Sequence, residues 1–201
     1  MPDSVKVAIS TSSRTIHWPL PKPQEADLPK ISLNDVAIAP PAQGPYTPTG
    51  YRVVVIDATQ DITDPASVTA NEYVSLDGYE NTNWWRQTYP GMYQQVLDTI
   101  LGAGNIFRQL FFVMSFGLDE NMTPTTGCYQ YLLEQGAGAQ LQLWEKTADS
   151  GSQVSNSESW TSYPANYILI GGSAYSYGGG DELHQTGDPV KSTLTVTLEP
   201  H

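Results

Sequence analysis

The chain has 201 residues, with 21 Asp and Glu against 9 Lys and Arg, which gives a net charge of −12. That field repels the phosphates of nucleic acids and of anionic lipid surfaces, so neither is expected as a partner. A hydrophobic content of 39%, with 15 Pro and 17 Gly, predicts one folded domain with extensions and many turns. The longest apolar run, residues 110–116, is too short to span a bilayer.

The first 49 residues are predicted to form an extended, Pro-rich arm. Val5, Val7 and Ile9 alternate with polar residues, which favours a short half-buried strand. Residues 17–23 carry three prolines, which favour extended polyproline-like chain. The arm has too little apolar mass for a core of its own, so it is expected to lie on its own domain or on another subunit. We predict that the arm packs on another subunit and that removal of residues 1–45 leaves a folded domain.

Residues 50–190 are predicted to form an α/β domain, a single mixed sheet with two main helices packed on it. The β-branched run at 53–56 is typical of a strand covered on both faces. Helices are expected at 90–101 and 123–135, the second with Thr123 as its N-cap and Gly136 as its stop. Further strands are predicted at 68–76, 110–116, 140–144 and 167–170, and a surface loop at 147–159. The predicted core comprises Val53, Val55, Ile56, Phe112, Met114, Ile168 and Ile170, with Leu97, Ile100 and Leu132 packed on it.

Residues 191–201 are predicted to form a C-terminal strand and tail. Leu194, Val196 and Leu198 alternate with threonines, so one face of this strand is apolar. The strand is expected to pair with the N-terminal arm or with another chain.

The order of short motifs within 50–190 resembles the interleukin-like EMT inducer (ILEI) domain, also called the GG-type lectin domain. The matching elements are Gly50 to Asp57, Leu76-Asp77-Gly78-Tyr79, the acidic pair Asp119-Glu120, Leu132 to Ala137, Tyr167 to Gly172, and Gly187-Asp188-Pro189-Val190. The resemblance covers about two-thirds of the chain. It implies a non-enzymatic module that binds a glycan or a protein partner, and related domains occur in phage tail fibres.

Two departures from the family limit what carries over. The single cysteine, Cys128, cannot supply the disulfides of secreted animal members, and it favours assembly in a reducing compartment. A sugar-binding member carries an Arg-Asp pair in the loop before the last strand, where this chain reads Ser162-Tyr163-Pro164-Ala165. Only the acidic loop at Asp119 therefore carries over from the sugar-contacting set.

The candidate ligand site combines an aromatic patch with the acidic loop. Its residues are Tyr79, Trp84, Trp85, Arg86, Asp119 and Glu120. Aromatic faces bind the apolar faces of sugars, and polar neighbours take the hydroxyls. The general tendency of aromatic residues to pack inside favours the alternative, in which one Trp fills the core and the other covers a helix entry. Two adjacent acids are also commonly just solvated.

Other chemistry-bearing residues form no recognised motif. His17, His184 and His201 are too scattered for a zinc site, so no metal and no cofactor are expected. Asp57, Asp61 and Asp64 are interpreted as turn residues. The serines form no Gly-x-Ser-x-Gly elbow, and nothing selects a carboxylate pair for glycan cleavage.

The leading prediction is a non-enzymatic, lectin-like structural module of a virion tail or fibre, assembled in the host cytoplasm. It is expected to be oligomeric and to contact other structural subunits through the arm and the C-terminal strand, and glycans through the candidate site. The first alternative is a free-standing carbohydrate-binding protein, cytoplasmic or non-classically secreted. A glycan-cleaving enzyme is the second. No signal peptide is expected from the N-terminal residues, and no membrane insertion.

Overall fold

The structure is a computed structural model. It describes residues 4–13, 29–38, 50–57, 59–68, 70–74, 109–116, 118–119, 124, 126–151, 164–172, 179–187 and 189–198. The strands within these ranges are β1 (Val5–Ser13), β2 (Lys30–Leu33), β3 (Val36–Ala37), β4 (Gly50–Asp57), β5 (Ala70–Val74), β6 (Gln109–Phe116), β7 (Leu118–Asp119), β8 (Pro164–Gly172), β9 (Asp181–Thr186) and β10 (Val190–Leu198). The helices are α1 (Thr126–Glu134) and α2 (Ala139–Gly151).

These elements form three layers, with a six-stranded sheet between the helices and a four-stranded sheet. The six-stranded sheet has the order β5-β4-β6-β8, with β7 and β9 also paired to β8. The four-stranded sheet has the order β10-β1-β2-β3. The predicted α/β class, with helices packed on a sheet, is confirmed. The sheet that was expected to be mixed is antiparallel at every described pairing, and the second sheet was not anticipated.

Both faces of the six-stranded sheet are buried, because successive residues of its strands alternate between two cores. Val53 and Val55 of β4 face the helices, where Leu132 and Trp144 pack. Val54 and Ile56, the alternate residues of the same strand, face the four-stranded sheet. Double coverage explains why this strand is a continuous apolar run rather than an alternating one. Each described residue of the predicted core is buried, whereas Leu97 and Ile100 lie outside the described residues.

The described parts of the N-terminal segment, residues 4–13 and 29–38, belong to the core of their own chain, whereas the packing of the segment on another subunit stays a prediction. Val5, Val7 and Ile9 of β1 are 0% exposed and belong to the same apolar cluster as Phe112 and Ile168. The predicted strand is therefore present, but its apolar face completes the second core. The segment lacks a core of its own because it shares one with the sheet beneath it.

The C-terminal strand pairs with β1 along its whole length, from Val5 opposite Leu198 to Ser13 opposite Val190. Of the two predicted pairings, the one with the N-terminal segment is thus confirmed. The strand predicted at 68–76 is also confirmed over Ala70–Val74, as β5, which runs antiparallel to β4.

The region 140–144, predicted as a strand, is helical and lies within α2. Leu141 and Trp144 lie three residues apart and both pack into the helix-side core, which is helical spacing. The alternation of Leu141 and Leu143 suggested a strand, but Leu143 is 48% exposed. The second predicted helix is confirmed as α1, and Gly136 follows it with a φ of 102°, as expected of a C-terminal stop. The predicted helix at 90–101 lies outside the described residues.

Candidate functional site

The structure describes one of the six predicted site residues. Asp119 lies in β7, a two-residue strand that follows β6 after one intervening residue. Trp84, Trp85, Arg86, Tyr79 and Glu120 lie outside the described residues, so their predicted roles stay predictions.

The backbone of Asp119 pairs with the first residue of β8. Asp119 is opposite Pro164, and Leu118 is opposite Ala165. On the other side of β8, the Gly187 amide donates to the Pro164 carbonyl over 3.0 Å. Three parts of the chain therefore meet where β8 begins: β7 with Asp119, Pro164 itself, and Gly187 after the end of β9.

Strand β5, which precedes the aromatic segment in the sequence, ends at this same end of the sheet. β5 ends at Val74, which is opposite Arg52 of β4. Arg52 is in turn opposite Met114, two residues before β6 ends. Since β7 follows β6 after one residue, β5 ends at the end of the sheet that carries Asp119, five residues before Tyr79 in the sequence.

A buried polar network fixes the start of β8 between the two sheets. The Asn166 side chain is 0% exposed, and its amide donates to the Val190 carbonyl over 3.2 Å and to Ser192 Oγ over 3.0 Å. Its Oδ1 accepts from Ser13 Oγ at 2.5 Å. On the other side of β8, the Tyr167 amide donates to Ser115 Oγ over 2.6 Å. Because buried polar groups need partners, this network holds β8 in one position relative to β1 and β10.

A carboxylate from β9 caps the N-terminus of α2. Glu182 accepts hydrogen bonds from the amides of Gly138 at 2.7 Å and Leu141 at 3.0 Å. It also accepts one from the Tyr167 hydroxyl at 2.8 Å. A negative charge at a helix N-terminus satisfies amides that have no partner within the helix and interacts favourably with the helix dipole. This acid thereby attaches α2 to the sheet.

The indole of Trp144 contacts two rings from adjacent strands. It stacks on Tyr167 with ring centroids 5.6 Å apart, and on His184 with centroids 5.5 Å apart. His184 and Tyr167 are directly opposite each other in β9 and β8. Burial lowers the pKa of His184 below its usual 6.5, and the hydrogen-bonding contact of its Nδ1 with the Asn166 carbonyl opposes that shift. A neutral imidazole therefore completes this aromatic group.

The acids predicted as turn residues do occupy turns. Asp57 Oδ1 accepts from the amide and hydroxyl of Thr59 at 2.9 and 2.7 Å. Asp61 makes the same pattern with Thr63 at 3.0 and 2.5 Å, and these bonds lower the pKa of Asp61. Asp64 accepts from the amide of Ala66 over 3.3 Å. These side chains stabilise local backbone, as expected for Asx turns.

Two further properties concern only the described part of the chain. No group of three or more His, Cys, Asp or Glu in it has an arrangement that could hold a metal ion. None of its helices combines the length and the apolar character needed to cross a membrane.

The sequence interpretation missed the polar residues that organise the fold around α2 and β8. Asn166 carried a usable signal, since it is a polar residue directly before the apolar run at 167–170. A polar residue in a buried strand needs hydrogen-bond partners. Glu182 carried none, because the amides it caps lie more than 40 residues earlier in the chain. Comparison of the chain with protein-family models, with curated proteins and with solved structures found no match.

Proposed function

We propose that this protein is a non-enzymatic, lectin-like structural module of a virion tail or fibre assembly that contacts host-surface glycans. The observation that carries the glycan half of this proposal is the pairing of Asp119 with Pro164. It joins the acidic loop to the segment before the last long strand of the family pattern. In the family that the chain resembles, both segments are connected with sugar contact, and in this chain Asp119 is the residue that matches the sugar-contacting set.

The chemistry at this end of the sheet suits a neutral polyol. Carboxylate oxygens accept hydrogen bonds from sugar hydroxyls, and aromatic faces pack against the apolar faces of the ring. Strand β5, which precedes Tyr79, Trp84, Trp85 and Arg86 in the sequence, ends at the same end of the sheet. The net charge of −12 opposes a phosphorylated ligand but not a neutral sugar.

The contacts of Glu182 and His184, two titratable residues of β9, support a binding module rather than an enzyme. Glu182 is engaged by helix amides and by the Tyr167 hydroxyl. His184 packs against Trp144. These groups stabilise the packing of α2 on the sheet, which gives each of them a structural role.

The test is a glycan array with the full chain, followed by titration of any positive glycan. We expect binding that Asp119→Asn weakens about 10- to 100-fold, the cost of losing a hydrogen bond to a charged group. Trp85→Ala should weaken it too, with the melting temperature nearly unchanged in both variants. Asp181→Asn is the matched control, because Asp181 is opposite Ile170 near the other end of β8.

Each other outcome decides against part of the proposal. An array blank for the wild-type protein removes the lectin function. Cleavage of an added oligosaccharide would instead show a glycan-cleaving enzyme. Unfolding by Trp85→Ala would place the aromatic patch in the core. Sugar binding by a strict monomer would favour the free-standing carbohydrate-binding protein.

A further inference from the structure

The last strand of the fold, β10, has one hydrogen-bonded neighbour among the described strands. It is the edge strand of the four-stranded sheet and pairs only with β1 there. It is nine residues long, whereas β3 at the other edge has two. A long edge strand presents a row of backbone donors and acceptors that can pair with another strand.

The inner face of β10 is incompletely covered in its C-terminal half. Val5, Val7 and Ile9 are 0% exposed, yet Leu198, Val196 and Leu194 directly opposite them are only half-buried. In the N-terminal half of β10, Val190 and Ser192 are buried. At residues 194–198 the apolar row thus extends past the cover that the described part of the chain provides.

The features that usually protect an edge strand are missing from this stretch. Residues 194–198 contain no charge and no proline, and Lys191 is the one charged residue of β10. Two copies that each carry a charge of −12 repel one another over most of their surface. Strand β10 contains no acidic residue, so its own side chains add nothing to that repulsion.

We propose that β10 pairs with β10 of a second copy of this chain, antiparallel and about a two-fold axis through Val196. This register places Leu194 opposite Leu198 of the second copy, so each inner-face pair is apolar. Centring the axis on Leu194 would place Ser192 opposite Val196, and centring it on Thr195 would place Ser192 opposite Leu198. The two four-stranded sheets then form one continuous sheet.

This inference names a second copy of the chain as the subunit partner within the proposed assembly. Its test needs no glycan, so the dimer and the glycan binding can each fail without the other. The start of β10 lies near the candidate glycan site, because the Val190 carbonyl accepts a hydrogen bond from Asn166 at the beginning of β8. In the proposed register the two Val190 residues are about 40 Å apart along the strands. The two candidate sites therefore face opposite ends, an arrangement that suits bivalent attachment to a surface.

The experiment measures the mass of the full chain by light scattering over a range of concentrations. We expect a mass of twice 22.0 kDa that falls towards 22.0 kDa on dilution. Val196→Lys places two like charges on the axis and should make the protein monomeric. Thr195→Lys is the matched control, since Thr195 is on the outer face of the same strand, and this variant should stay dimeric.

Cross-linking tests the register without depending on how Val196→Lys folds. In the proposed register, Val196→Cys brings the two cysteine Cα atoms to about 5 Å, within disulfide range. Thr195→Cys leaves them about 8 Å apart on the outer face, beyond that range. We therefore expect an oxidised dimer with Val196→Cys, and little with Thr195→Cys or with the wild type, which holds only Cys128. A wild-type monomer at every concentration, or equal cross-linking of the two variants, would overturn the proposal.

Discussion

The amide of Gly172 donates a hydrogen bond to the carbonyl of Gln135 over 3.0 Å, so the end of β8 lies directly against the end of α1. This contact requires close approach of the two backbones. A Cβ built on the neighbouring Gly171 would lie 2.0 Å from the same Gln135 oxygen. The glycine pair that ends the Tyr167–Gly172 motif therefore has a packing role, in which it admits the last turn of the helix against the sheet.

Gly171→Ala should destabilise the fold by about 1–3 kcal/mol, the usual cost of overpacking a close contact. The clash is with a backbone carbonyl, so truncating the Gln135 side chain should not relieve it. Urea unfolding of Gly171→Ala, Gln135→Ala and the double variant measures this, and we expect the two effects to add. A loss below about 0.5 kcal/mol for Gly171→Ala, the range of neutral surface changes, would contradict the contact.

Glu182→Ala should cost at least about 1.5–3 kcal/mol, which is what a single hydrogen bond to a charged group is worth. The change removes the cap of α2 and the acceptor of the Tyr167 hydroxyl together. Chemical denaturation measures the loss. Asp181→Ala is the control, since Asp181 is exposed and adjacent in β9, and it should be nearly neutral. Equal effects of the two substitutions would show that Glu182 does not cap α2.

Stability should fall as the pH drops below 6.5 because His184 is buried as a neutral ring. Its pKa is lowered in the folded state, so the unfolded chain binds a proton first as the pH falls through 6.5. Protonation of the unfolded state lowers the free energy of unfolding down to the folded pKa, and above pH 6.5 this contribution is constant. His184→Phe keeps a ring against Trp144 but cannot titrate.

Urea unfolding of wild type and His184→Phe at pH 7.5 and pH 5 isolates this effect from other titrating groups. The stability of the wild type relative to the variant should be lower at the acidic pH. A relative stability that is unchanged, or that rises on acidification, would show that His184 accepts its proton without cost in the folded state.

Ile168→Ala should cost about 2–5 kcal/mol, the usual range for truncating a buried branched residue. Ile168 is 0% exposed and belongs to the core between the two sheets. Leu143→Ala is the control, because Leu143 is 48% exposed on α2 and its loss should be small. The free energy of unfolding in urea distinguishes the two. A loss under about 0.5 kcal/mol at Ile168 would mean that the strand is misplaced.

Removing residues 1–13 should abolish cooperative folding. The deletion takes away β1, which lies between β10 and β2 and supplies Val5, Val7 and Ile9 to the second core. Removing residues 1–3 alone leaves β1 intact and should preserve the fold. Thermal unfolding followed by circular dichroism compares the two. A stable, cooperatively unfolding domain without residues 1–13 would restore the original prediction of a dispensable arm.

The sequence by itself determined the strands that bear the strongest patterns. The β-branched run at 53–56 predicted a strand buried on both faces, and the apolar run at 110–116 predicted a second strand. The alternation of Leu194, Val196 and Leu198 predicted a strand with one apolar face. Local patterns such as these depend only on side-chain period, which the chain displays without any tertiary contact.

Only the tertiary structure decided which surfaces these elements share. It assigned the N-terminal strand to the core of its own chain, since a short alternating pattern shows that a face is apolar but not what covers it. It made 139–151 a helix, because Glu182 from β9 caps that helix and Trp144 stacks on Tyr167 and His184 of two adjacent strands. It also brought Asp119 beside Pro164. Each of these outcomes depends on contacts between residues dozens of positions apart, and sequence spacing carries no signal for them.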